Sequence, residues 1–275
     1  MSQTKPILLM NTRVLLLVLC CLAFFQQDAK AQGFSHEIGV IAGPLAFYSD
    51  YGVRSDTETN VGNSTIGIGF IHYLNFSYRA DCNCYTRDAY FNDHFKLRNE
   101  INYHKTQLQH FGPLVADDKT SFFSDQLRAV SGSTRVIEIG SQLEYFPLSI
   151  RDFAAMSTTF APFISFGVHY VNFDPESSST LGPDVNAPPA ANQKYINAYQ
   201  QEGASTWAAL WSIGVRYKLN ASSDLMLDSR WTYYFNDWVD GLNPALEQNG
   251  TTPVPENKAN DWMYWLNLGY IYYLN

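Results

Sequence analysis

Beyond residue 31 the chain has no run of eighteen apolar residues and no long stretch with a 3.6-residue period. That excludes membrane-spanning helices and argues against a helical bundle. A mean hydropathy of -0.20 agrees. Cysteine is scarce, four in 275 residues, of which Cys20 and Cys21 lie in the first segment and only Cys82 and Cys84 beyond it. Two cysteines one residue apart supply too few ligands for a structural metal site. Bases are outnumbered, 18 against 26 acids, for a net charge of -8. Nucleic-acid binding, which needs a basic face, is excluded. Disorder is equally disfavoured by the 46% apolar content. What the chain has in excess is aromatics: 18 Phe, 18 Tyr and 6 Trp.

The first segment reads as an address. Lys5 and Arg13 precede an apolar run from Val14 to Phe25, then a polar stretch and Ala29-Lys30-Ala31. This is a signal-peptide pattern, and cleavage is expected after Ala31, leaving 32–275 as one domain. The run is too short to span as a helix. Leu19, just before Cys20, is too large for a lipoprotein signal. In the oxidising compartment this implies, Cys82 and Cys84 form either a small strained disulfide or two exposed thiols.

The rest alternates with period two, the mark of strands. Trp262, Tyr264, Leu266, Leu268, Tyr270, Tyr272 and Leu274 share one face, with Asn267 and Gly269 on the other. Aromatics lie toward both ends of that face and leucines in the middle, as in a strand crossing lipid between two aromatic girdles. Trp207 to Leu219 and Leu225 to Phe235 repeat it, joined by a polar turn at 220–224. Eight strands are expected, at 34–42, 64–74, 95–105, 134–146, 162–173, 205–219, 225–236 and 262–274. The fold class is therefore all-β, an eight-stranded antiparallel up-and-down transmembrane β-barrel. Connections after strands 1, 3, 5 and 7 are long (43–63, 106–133, 174–204 and 237–261), as expected of outward loops. The inward turn at 75–94 is also long and holds both cysteines.

Charge follows the same topology. The four long loops carry fifteen acids and five bases. The inward face carries Glu37, Glu100, Glu138, Glu144 and Asp228 against Lys96, Arg98, Arg216, Lys218 and Arg230. An eight-stranded barrel is just wide enough for side chains, and unpaired buried charge is costly, so these ten are expected to pair and plug the lumen. Lys105 and Arg135 are the two lipid-facing charges, placed at the outer rim, where they either contact lipopolysaccharide or snorkel. His36 and His72 share the lipid face near the inner end, as a pair in the interface belt rather than a metal or catalytic couple.

Four stretches, 33–44 (GFSHEIGVIAGP), 72–85 (HYLNFSYRADCNCY), 91–98 (FNDHFKLR) and 142–151 (QLEYFPLSIR), resemble a Bacteroidota family of outer-membrane barrels of unassigned role. In architecture it is similar to the small OmpA/OmpW-type barrels. Some members carry a glutamate dehydrogenase label. The nearest dinucleotide motif here is Gly67-Ile-Gly69-Phe-Ile-His72, which lacks its third glycine and continues as strand. The dehydrogenase reading fails, and no catalytic, cofactor-binding or metal residues are assigned. No nucleotide is expected as a ligand.

Three functions remain from the sequence. One is an outer-membrane barrel with a charge-paired lumen, serving as a structural or assembly component toward lipid and a periplasmic or surface protein. Another is a narrow channel for a small solute. The third is a soluble periplasmic barrel with its aromatics turned inward around an apolar ligand.

Overall fold

The computed structural model describes residues 35–52, 56–76, 90–244, 251–253 and 260–274. The expected signal peptide, and Cys82 and Cys84, lie outside the described residues. Eight strands form one closed antiparallel barrel in sequence order: β1 (Ser35–Tyr48), β2 (Ser64–Asn75), β3 (Phe95–Gln109), β4 (Val130–Tyr145), β5 (Phe160–Ser179), β6 (Ala204–Asn220), β7 (Ser223–Tyr234) and β8 (Trp262–Leu274).

The register fixes the shape. One row of paired residues runs Ile38, His72, Asn99, Ser141, Val168, Ala209, Tyr233, Trp262 and returns to β1 at Tyr48, ten residues above its start. Ten residues at about 3.3 Å, set against eight strand spacings of about 4.8 Å, tilt the strands by roughly 40°.

The strands overrun the expected boundaries at the long-loop end. β1 continues from 42 to Tyr48, β3 from 105 to Gln109, β4 begins at Val130 rather than 134, and β5 runs on from 173 to Ser179. In β3, β4 and β5 the expected ends mark where outward apolar residues stop, whereas β1 runs on past Gly43 and Pro44 with Ala46 and Tyr48 still outward. Pairing needs no outward apolar residues, and the extensions of β3, β4 and β5 carry Ser131, Gln107, Glu176 and Ser178 outward instead. Asp224, expected in the turn, lies inside β7 and fully buried. The turn is only Ala221 and Ser222, with Asn220 Oδ1 accepting from the Ser222 amide at 2.9 Å.

The polarity of the wall is unambiguous. Ile66, Phe166, Leu268, Trp207 and Ile213 are exposed on the outside, while Arg98, Arg216, Arg230, Glu138, Glu144 and Asp228 are buried inside. The soluble reading, with aromatics inward, is overturned by this. Gly67 and Gly69 lie in mid-strand on β2, and no helix follows them before Asn75.

Candidate functional site

The candidate site is the lumen. On β3 every second side chain points inward, so Lys96, Arg98, Glu100, Asn102, His104 and Thr106 form a buried column. β1 contributes Glu37, β4 Glu138 and Glu144, β6 Arg216 and Lys218, and β7 Asp224, Asp228 and Arg230, all buried.

All ten expected residues come together. Near the short-turn end Lys96 Nζ lies 2.5 Å from Glu37, whose other oxygen accepts from Arg216 Nη1 at 2.7 Å. Arg216 also faces Asp224 at 3.6 Å and Glu144 at 3.8 Å. Its guanidinium lies 4.1 Å from the Tyr73 ring centroid. Asp224 holds Lys218 at 3.2 Å and accepts from the Tyr273 hydroxyl at 2.6 Å. Higher up, Arg98 stands 2.8 Å from Glu144, 3.2 Å from Asp228 and 3.4 Å from Glu100. Arg230 grips Glu100 with both terminal nitrogens, at 2.9 and 3.1 Å, and reaches Asp228 at 3.1 Å. A bidentate pair of this kind adds orientation as well as energy.

The expected balance of five against five needs correction. Asp224 makes six acids. The compensation is His169 on β5, with Nδ1 3.0 Å from Glu138 and Nε2 2.9 Å from Glu100. With a carboxylate against each nitrogen, the ring fits as the imidazolium, and the charges sum to zero. Glu138 in turn accepts from the Tyr234 hydroxyl at 2.7 Å. His169 is legible as inward in the sequence, but Ser165 on the same strand bonds Gln142 and Ser212 at 2.7 Å each. These two therefore form no nucleophile–base couple.

Both ends of this column are covered. At the short-turn end Ser149 caps the helix Ile150–Ala154, accepting from the Asp152 amide at 3.1 Å. The helix buries Ile150 and Phe153 with Phe146 and Phe163, beneath Lys218, whose ammonium sits 4.9 Å from the Phe153 ring centroid. At the other end three loops interlock. Asp240 accepts from the amides of Asp50 (2.9 Å) and Leu242 (2.8 Å), and Asp261 accepts from those of Val239 and Asp240. Tyr199 bridges Leu242, and Asn186 holds Tyr199 through two 2.9 Å bonds. Tyr51, Val239 and Leu242 are buried beneath. The acidic loops thus do not simply face solvent, since Asp240 and Asp261 are fully buried, each holding backbone amides. The sequence pattern gives no sign of this, because an acid that caps amides reads like any loop acid.

Two cap residues titrate against each other, Asp240 and His110, whose ring centroid lies 5.0 Å from that of the buried Tyr51. Burial pushes the Asp240 carboxyl up to about 7 and the His110 imidazole down to about 4. A raised carboxyl means the closed cap holds a proton that the opened cap releases, so this proton favours closure in acid and its effect fades as pH rises from about 4 to 7. A depressed histidine works oppositely: the opened cap gains a proton below about 6.5, which favours opening. From about 6.5 down to 4 the two largely cancel. Of these two, Asp240→Asn leaves only the histidine contribution, and acidification over that window is expected to weaken the cap by about 3 kcal/mol. Hydrogen exchange at the Leu242 amide, followed against pH, reads this directly. A protection factor, taken against the intrinsic exchange rate at each pH, that rises on acidification in the variant would refute the assignment.

On the outer wall, Lys105 and Arg135 are register partners on β3 and β4. They are not the only charges there: Asp174 on β5 holds Arg135 at 2.9 Å, and Glu176 is exposed beside it. Both fall in the expected loop 174–204, because β5 runs further than its apolar pattern. His36 and His72 do meet, Nδ1 to Nε2 at 3.0 Å. The row continues through Asn99, within 3.3 Å of His72, to Ser141, whose hydroxyl donates to Asn99 at 2.7 Å.

A closed barrel with apolar side chains outside and paired charges inside satisfies every requirement of a lipid environment. The protein is an outer-membrane β-barrel. No family model and no curated protein matches the chain. Among solved structures it is similar to a major outer membrane protein from Thermus thermophilus, at 13% identity and a TM-score of 0.45 over 87% of this chain and 99% of that one. It is also similar to the outer membrane protein OprG from Pseudomonas aeruginosa, at 13% and 0.42 over 88% and 99%. A third is Ail, the attachment invasion locus protein of Yersinia pestis, at 10% and 0.39 over 88% and 99%. The barrel itself rests on the strand register and not on these likenesses.

Proposed function

We propose that the chain is a closed outer-membrane barrel acting as a structural or interaction component at the cell surface, made with a signal peptide ending at Ala31. The observation that carries this is the lumen: eleven charged side chains and His169 in one connected set, covered at both ends. Such a column leaves no route for a solute without breaking buried ion pairs. The reading is of a protein that works with its surfaces and carries out no reaction.

Aromatic placement supports the membrane frame. Phe160 and Tyr170 on β5, Trp207 and Tyr217 on β6, and Trp262 and Tyr272 on β8 are exposed pairs, each ten residues apart. At about 3.3 Å per residue and a tilt of roughly 40°, ten residues climb about 25 Å, the height of the apolar band between two girdles. Lys105 lies near the level of the upper ring, and Arg135 just above it. Their adjacency supports contact with lipopolysaccharide phosphates, since like charges opposite each other gain from a shared anion. The interlocked loops form the surface offered to a protein partner.

Planar-bilayer recording tests the closed lumen. Purified protein is expected to give no conductance steps. Steps that change on neutralising Arg216 or Arg230 would replace this reading with the narrow channel.

A further inference from the structure

The outside of β1 forms a trough. Its outward residues Val40 and Ala42 are smaller than their register partners on both sides, Phe70 and Tyr270 for Val40, Ile68 and Leu268 for Ala42. The result is an open groove of about 670 Å³ with an almost wholly apolar wall, centred on β1 and β2 and reaching Leu225 on one side and Ile101 and Ile137 on the other, in the lipid-facing belt. Down β1 the outward residues continue through Ile38 to His36, and down β2 from Phe70 to His72. The two imidazoles lie below the groove's lining on the same outward face, His36 four residues from Val40 and His72 two from Phe70, at the short-turn end.

Those imidazoles are arranged as a polar terminus. His36 Nδ1 and His72 Nε2 are 3.0 Å apart, with rings stacked at 24°. His72 uses its other nitrogen on Asn99. His36 is exposed, and its Nε2 has no partner among the described residues. From His36 to Ala42 is six residues, about 20 Å along the strand, the length of an extended fatty-acyl chain.

We propose that this trough is a binding site for one glycerophospholipid of the leaflet at the short-turn end. One acyl chain lies along Val40 and Ala42 between the flanking side chains, and the headgroup phosphate accepts a hydrogen bond from His36 Nε2. The apolar wall takes the chain, the imidazole pair takes the phosphate, and their spacing along β1 matches the molecule. The inference rests on the membrane reading above.

The test is native mass spectrometry of the full protein, taken from vesicles of phosphatidylethanolamine, phosphatidylglycerol and lipopolysaccharide and washed in delipidating detergent. Wild type is expected to keep one phospholipid. Ala42→Trp, which fills the trough from the lipid side, is expected to reduce retention about tenfold. His36→Leu with His72→Leu keeps the groove and is expected to lose lipid at an intermediate level. Val40→Trp serves as a second filling variant. Wild type without bound phospholipid, retention in both filling variants equal to wild type, or retained lipopolysaccharide instead would each overturn the site. The gel shift between unboiled and boiled samples, run in parallel, separates the two failures: a persistent shift without lipid removes the site and leaves the barrel.

Discussion

Arg98→Met is expected to destabilise the barrel by about 3–5 kcal/mol, the cost of stranding buried carboxylates when one partner is removed. Arg98 is fully buried and stands against three acids, Glu100, Glu144 and Asp228. Methionine fills most of its volume but supplies no charge. Glu144 would keep only Arg216, at 3.8 Å, and the Tyr73 hydroxyl at 3.0 Å. Asp228 would keep Arg230. Urea unfolding in lipid vesicles, followed by tryptophan fluorescence, measures the loss. The decisive comparison adds Glu144→Gln to Arg98→Met. If the cost arises from uncompensated charge, the double variant recovers a substantial part of it. Simple additivity of the two losses would mean that the pair is not coupled and that the network does not act as one unit.

The second large effect belongs to the seam where the first and last strands close the barrel. A Cβ built on Gly43 falls only 1.9 Å from the Leu266 carbonyl oxygen and 3.2 Å from the Asn267 Cα. Those are backbone atoms of β8 and cannot swing aside. The Gly43 carbonyl also accepts from the Trp265 indole at 3.0 Å, pinning the two strands at this point. Gly43→Val must push β1 from β8, at a cost of about 3 kcal/mol or more. Refolding into vesicles is expected to leave most of the variant in the form that shows no gel shift on boiling. Gly182→Val is the control, since the nearest atom there is an ordinary 3.6 Å away. Equal refolding yields for the two variants would contradict the account of the seam.

Eight alternating strands and their order are legible in the sequence because lipid on one side and paired charge on the other impose period two on every crossing. The ten inward charges are legible for the same reason. What escapes is whatever the membrane does not select. The upper parts of β3, β4 and β5 stand beyond the apolar belt, so their outward residues are polar and read as loop. Asp174 escapes that way, and with it the partner of Arg135. Asp224 escapes because the strand after the two-residue turn begins while the composition is still polar. Asp240 and Asp261 read as surface acids, since their burial depends on how three separate loops meet. The climb of ten residues around the wall is a property of the whole register, which no single strand encodes. The trough on β1 has a sequence trace in Val40 and Ala42, but it becomes a groove only beside Phe70 and Tyr270.

The most direct measurement is the conductance of the purified full-length protein in a planar bilayer at neutral pH. A lumen filled by Arg98, Arg216, Arg230 and their carboxylates predicts a silent membrane at every holding voltage, with insertion verified by the gel shift of the same preparation. Reproducible steps of nanosiemens order would mean that the column is not closed, and would contradict the central claim.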